Sequence, residues 1–275
     1  MTGTVVPSRD VARRDDAGDA RRDDAGDALE NGGRVSKVAE LFGPDARGGA
    51  DGLQIAGFEP FSTVDWPDKL VATVFAQGCP WQCTYCHNAY IQDPRAAGRV
   101  TWSTVLGHLA RRAGQLDGIV FSGGEPTRQA ALIPAMHEAK ARGFAVGLHS
   151  AGAYPGRLRE ALHHTDWLGL DIKATPEGYQ DITGQSASGA KAWQSLEIAL
   201  DWGGDVEVRL TVDPTTHTRD DVMAIMERVQ ELGGPRPIIQ EARPDGASDA
   251  YQRALGHLRL RDVLTERDLA ELATR

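Results

Sequence analysis

The cysteines of this chain stand at Cys79, Cys83 and Cys86 in the stretch "GCPWQCTYCHN", and none occurs elsewhere in its 275 residues. An odd, clustered set does not make a disulfide framework; it suits a reducing compartment and a metal. The C-x3-C-x2-C spacing on one loop lets three thiolates wrap a compact centre. A cubane iron–sulfur cluster held by three cysteines keeps one iron open for an outside ligand, an arrangement for chemistry rather than storage. Zinc is the alternative, with His87 as a nominal fourth ligand, although its adjacency to Cys86 makes common coordination awkward. Three buried structural thiols are the plainest alternative.

Three further places offer chemistry. In "FSGGEP", Gly123 and Gly124 allow a ligand close to the backbone and Glu125 brings a carboxylate able to bind an ammonium group. The same residues also suit a simple strand-to-helix turn, with Pro126 opening the helix. No Gly-Lys-Ser/Thr follows, so this is not a phosphate loop. "LHSAG" offers His149 and Ser150, of which a lone His149 reads first as a satisfied core or rim histidine. "LDIK" offers Asp171 and Lys173, which point to one side of a strand and could bind a ligand or simply pair with each other.

These residues need elements to position them. Short β-branched runs recur at Leu70 to Ala76, Gly118 to Ser122, Ala145 to His149, Trp167 to Lys173, Val206 to Val212 and Pro237 to Ala242. Between them lie helical patterns such as "TWSTVLGHLARRAG" and "RDDVMAIMERVQELGG", several closed by the glycine that commonly ends a helix. Such alternation predicts an α/β fold with a parallel sheet, either open and doubly wound or closed fully or partly into a barrel. In both, ligands gather at the carboxyl ends of the strands, where the cysteines, the GGEP turn and the Asp171/Lys173 pair all fall.

Composition bounds the rest. With 41% hydrophobic and 25% charged residues the chain can bury one sizeable core. A net charge of −9 disfavours non-specific attraction to nucleic acid. No run is long and apolar enough for a membrane span, and the N-terminus lacks the apolar stretch of a signal peptide, so a cytoplasmic location is expected. Residues 1–50 are expected to be a disordered extension: "RRDDAGDA" occurs twice in succession, Arg13 to Ala20 and Arg21 to Ala28, and so polar a repeat has no face to bury. Within this extension "VSKVAELF" has the pattern of a short helix. Residues 51–245 form the expected core domain, and 246–275 a tail of one or two amphipathic helices packed on it.

The C-x3-C-x2-C loop after a first strand, followed by GGEP after the second, resembles the radical SAM enzyme superfamily, from about Gly57 to Arg243. "STVDWP", "CHN", "LHSAGAYP" and "LGLDIKA" bear a narrower resemblance to activating enzymes of glycyl radical enzymes, in the branch of the anaerobic ribonucleoside-triphosphate reductase activating protein. The resemblance implies a partial (β/α)6 TIM-like barrel, a [4Fe-4S] cluster held by Cys79, Cys83 and Cys86, and S-adenosylmethionine bound at its open iron. It implies that Gly123, Gly124 and Glu125 hold the methionine amino group, that Tyr85 lines the adenine, and that Asp171 and Lys173 contact the sugar and carboxylate, with Ser150 also at the cofactor. The implied activity is reductive cleavage to a 5′-deoxyadenosyl radical that abstracts hydrogen from a glycyl radical enzyme partner, with electrons from a reduced flavodoxin- or ferredoxin-like donor. Pyruvate formate-lyase activating enzymes carry Asp-Thr-Asn-Gly where this chain has His149, Ser150, Ala151 and Gly152, so the Asp and Thr that help form their monovalent cation site are not matched here. Their late barrel histidine has no counterpart either, Arg243 lying in that neighbourhood. Two alternatives accompany this expectation: a radical SAM enzyme acting on a small molecule, and a non-catalytic iron–sulfur or zinc protein.

Overall fold

The computed structural model describes residues 49–272 and 274. The repeat and the "VSKVAELF" stretch of the expected extension lie outside the described residues. A short 3-10 turn at Ala50–Gly52 leads into a seven-stranded sheet whose order follows the chain from β1 to β7. The strands are β1 (Ile55–Ser62), β2 (Val71–Ala76), β3 (Gly118–Gly123), β4 (Ala145–Ser150), β5 (Trp167–Asp171), β6 (Asp205–Val212) and β7 (Ile238–Glu241). From β2 to β7 all pairs are parallel, as the repeated strand–helix pattern predicts, and the sheet curls into a partial barrel.

β1 is the departure. It pairs antiparallel with β2, and its register slips between Ile55 and Gly57 and again between Glu59 and Ser62. Gly57 and Pro60 break the alternation that would mark a strand, yet both are tolerable at an edge, where Pro60 has one neighbour strand rather than two to satisfy. The sequence pattern therefore shows six strands and the fold has seven.

Helices α1 (Trp102–Arg111), α2 (Leu132–Ala141), α3 (Pro155–Leu162), α4 (Tyr179–Thr183), α5 (Ser188–Trp202) and α6 (Arg219–Glu231) fill the crossovers. Thr101 and Thr218 accept N–H bonds from Thr104 and Asp221 at two helix starts, each such cap contributing about 1 kcal/mol. Their apolar faces, including Trp102, Leu109, Met136, Leu158, Leu196 and Ile225, join Ile119, Leu148, Leu168 and Leu210 of the strands in one continuous core. Every residue of β2 is buried, the pattern of a strand covered on both faces.

Two features shape the barrel's ends. At the amino ends of the strands Trp66, from the β1–β2 loop, stacks on Trp167 with ring centroids 5.5 Å apart, beside Val71 and Val120. Gly147 makes room for it, since a Cβ there would lie 2.9 Å from the Trp66 ring. Beyond β7, helices α7 (Asp249–Leu255) and α8 (Glu266–Glu271) carry Tyr251, Leu255, Leu264 and Leu272 into or alongside the main core. This segment also covers the outer edge of β7: Ile239 bridges to Thr274, and Glu241 accepts the Leu260 N–H at 2.7 Å. Among the described residues no helix is long and apolar enough to cross a membrane.

Candidate active site

The cysteine loop leaves β2 at its carboxyl end and is held mainly through its backbone. Gly78 donates to Ile91 O and Cys79 to Gln92 O, while Gln82 and Thr84 donate to Thr183 O and Ile182 O of α4. The Gln77 side chain bonds the carbonyls of Ile91 and Asp93. Trp81 packs edge-on against Tyr179 at 5.8 Å. All three thiols are free, half-buried and line one cavity of about 260 Å³. Burial pushes the Cys79 thiol well up and raises Cys83 to about 11 although Lys173 pulls it down. Thiols so placed ionise when a positive centre arrives to bind them.

The Cys3His alternative for zinc would need His87 as its fourth ligand. His87 is otherwise engaged, its Nε2 accepting the Arg243 N–H at 3.0 Å.

The glycines at the end of β3 are stitched to this loop. Gly124 donates to Ala76 O, and Glu125 donates its N–H to Gly78 O. Gly123 has φ +109°, and a Cβ on Gly124 would collide with the Gly78 carbonyl, so the two loops meet at van der Waals limits. The Glu125 carboxylate is fully buried and does not line the cavity. It accepts from Thr127 N (3.2 Å), Thr127 Oγ1 (2.6 Å), Ser150 Oγ (2.9 Å) and Ala151 N (2.9 Å). Burial raises its pKa and these donors oppose the rise. Its carboxylate thus joins the ends of β3 and β4, and the groups left facing the cavity belong to the glycine backbone.

Opposite lies a chain of charges, with half-buried Asp171 between buried Lys173 and Arg209. Arg209 stands directly across from Asp171 in the β5–β6 register. Its Nε donates to Asp171 Oδ1 at 3.0 Å, and Lys173 Nζ reaches Asp171 Oδ2 at 3.2 Å. Burial would raise the Asp171 pKa, but Lys173 and Arg209 outweigh it and set the value at about 2. Burial alone would discharge Lys173, yet the Asp171 carboxylate beside it holds the ammonium charged. His149 is locked between Asp65 O (Nε2, 2.7 Å) and Ser122 Oγ (Nδ1, 3.0 Å), with Arg209 Nη1 3.1 Å from Nε2. Nε2 thus faces both a carbonyl, which can only accept, and a guanidinium, which can only donate; burial and the Arg209 charge keep the ring neutral. His149 is a satisfied histidine of the barrel interior.

Of the sequence-predicted site residues, Cys79, Cys83, Tyr85, Cys86, Gly123, Gly124, Ser150, Asp171 and Lys173 all line the cavity, and Glu125 alone sits behind it. Arg209, Asp65, Thr211 and Gln240 also line it without having been singled out from sequence. Tyr85 supplies a sign of a missing ligand. It is 4% exposed, Lys173 Nζ stands 5.6 Å from its ring centroid, and its Oη is buried without a hydrogen-bond partner. Buried hydroxyls normally find partners, so one orphaned beside three thiols and a buried ammonium fits a cavity made for a polar, charged guest. The sequence profile of the radical SAM superfamily matches residues 73–229.

The chain belongs to the radical SAM superfamily. As a radical SAM enzyme it works with a [4Fe-4S] cluster and S-adenosylmethionine, and the thiols and polar walls just described fit that pair. A Methanocaldococcus jannaschii protein named as a glycyl-radical enzyme activating enzyme is 27% identical over 226 residues, covering 80% of this chain and 91% of that protein. The pyruvate formate-lyase-activating enzyme of Clostridium pasteurianum is 30% identical over 186 residues, 65% of this chain and 77% of its own. Among solved structures, TYW1 with a lysine-pyruvate adduct bound superposes with a TM-score of 0.52 at 15% identity, over 73% of this chain and 70% of that one. Streptococcus suis SuiB bound to its precursor peptide gives 0.51 at 13% identity, over 74% of this chain and 48% of that one. These likenesses establish a radical SAM fold, and the two relatives by sequence just described are named as activating enzymes.

Proposed function

We propose that this radical SAM enzyme installs a glycyl radical on a partner protein. The observation that carries this reading is the near full-length similarity to glycyl-radical enzyme activating enzymes, joined to a single cysteine loop with no second cluster motif. The partner we favour is an anaerobic ribonucleotide reductase, reached in the cytoplasm, with a reduced flavodoxin- or ferredoxin-like protein as electron donor. Residues 51–245 constitute the catalytic core and 246–275 its helical tail.

In this reading Cys79, Cys83 and Cys86 hold the cluster. When bound, cluster and S-adenosylmethionine together supply an electron and a sulfonium whose cleavage yields methionine and a 5′-deoxyadenosyl radical. The chain's own residues bind and orient. The backbone at Gly123 and Gly124 receives the ammonium group, while Glu125 and Ser150 hold that backbone in place from behind. Lys173 meets the carboxylate; Asp171, itself held by Arg209, fixes Lys173 and reaches the sugar, and Tyr85 lines the adenine. The stacked tryptophans close the amino end of the barrel.

The test is formation of 5′-deoxyadenosine by anaerobically reconstituted protein given dithionite and S-adenosylmethionine, with Cys83→Ala as control. Cysteine-dependent product, with a glycyl radical signal appearing on an added partner, is the expected result. A full cluster that gives no product with or without partner overturns the reading. Product whose deoxyadenosine hydrogen comes from a small molecule instead moves the enzyme to the small-molecule class.

A further inference from the structure

Lys173 lies past the end of β5, so strand pairing does not fix its peptide group, and at 7% exposure water does not either. Two buried side chains take over. Tyr179 Oη accepts the Lys173 N–H at 2.8 Å, and His217 Nε2 donates to Lys173 O at 2.9 Å. The other nitrogen of that ring, Nδ1, accepts the Asp213 N–H at 2.9 Å, which fixes the tautomer with the proton on Nε2. Burial lowers the His217 pKa and keeps the ring neutral, as this double role requires.

The turn that presents His217 is itself tied down. Asp213 is fully buried at the end of β6. Its Oδ1 accepts from Thr215 N, Thr215 Oγ1 and Tyr251 Oη, and its Oδ2 from Thr216 Oγ1 and Thr84 Oγ1. Thr84 belongs to the cysteine loop and Tyr251 to α7. One turn therefore links the loop between Cys83 and Cys86, the helical tail and the backbone of Lys173.

We propose that His217, carried on the Asp213 turn, is a positioning residue that sets the place of Lys173 in the cofactor cavity. Lys173 Nζ reaches both Asp171 and the Tyr85 ring, so a displacement of its carbonyl moves the ammonium relative to both. The inference rests on the reading above that Lys173 meets the cofactor carboxylate.

Two variants divide the bonds of His217. Asparagine places its amide near the Nδ1 position and keeps an acceptor for Asp213 N, but cannot reach Lys173 O; glutamine reaches Lys173 O and gives up the Asp213 contact. In full-length reconstituted enzyme, His217→Asn is expected to weaken S-adenosylmethionine binding about tenfold by equilibrium dialysis, the worth of one displaced hydrogen bond. Amide hydrogen exchange over 171–175 should quicken in the same variant. His217→Gln should stay near wild type in both readouts, with equal iron content throughout. Equal losses in the two variants, or no change in exchange or affinity in His217→Asn, would overturn the inference alone. A wild-type holoenzyme that binds no S-adenosylmethionine would overturn the functional reading and the inference with it, whatever the exchange data show.

Discussion

At the amino ends of the strands Trp66 lies flat on Trp167 among Val71 and Val120, held by ring stacking and apolar burial. At the carboxyl ends, half-buried Asp171 pairs with buried Lys173 and Arg209, while buried Glu125 and Asp213 are held by neighbouring hydroxyls and amides. The floor needs nothing further. The rim has surplus capacity, seen in three free thiols and the unpartnered Tyr85 hydroxyl. Packing closes one end of the barrel, and a polar framework keeps the other open to a guest of matching charge.

This contrast is open to attack from both sides. The largest expected effect on stability is at the floor: Trp167→Ala should lose about 3–5 kcal/mol in denaturant unfolding. Cofactor affinity per folded molecule should survive it, and a matching loss of affinity would show that the two ends are not independent. Behind the rim, Glu125→Ala strands the buried donors of Thr127, Ser150 and Ala151, with an expected loss of about 3 kcal/mol together with weaker S-adenosylmethionine binding. Glu125→Gln should cost about 1 kcal/mol; an Ala variant of normal stability and reduced affinity would return the carboxylate to direct ligand contact.

Gly124→Ala should cost about 1–3 kcal/mol, because the new methyl meets the Gly78 carbonyl, while binding suffers more than stability as the cysteine loop is pushed away. Dialysis and thermal melting on the same sample separate the two. The smallest effect concerns acid. Asp171 has a folded pKa of about 2 against an ordinary value near 3.8, so its contribution is whole above the ordinary value and fades as pH falls through about 2. Asp171→Asn should therefore flatten the decline in stability between those two values, and an unchanged acid titration would show that its ion pairs do not stabilise the fold.

Much of this was legible in the residues. Glycine-closed helices between β-branched runs indicate the parallel sheet, and the cysteine loop, GGEP and Asp171/Lys173 lie where strand ends must fall. β1 escapes because Gly57 and Pro60 mask its alternation, and only an edge position excuses them. Arg209 escapes because one arginine in "VEVRLTV" looks like the solvent side of a strand; its meaning depends on the register that sets it across from Asp171. Glu125 is identified as important from its place in the motif, yet its partners are Ser150 and Ala151, brought to it only by the β3–β4 neighbourhood. "DPTTH" has ordinary turn chemistry, and nothing local reveals that this turn is buried against a lysine far earlier in the chain.

The cover that the tail lays over β7 also bears on how the protein behaves as a material. With Ile239 bridged to Thr274 and Glu241 capping Leu260, the more open margin of the sheet is β1, covered at Ile55 by Val100, bent by its slips in register and unattractive to a passing strand. A chain cut before Leu260 would bare a straight row of amides on β7. Its first symptom would be self-association and poor solubility.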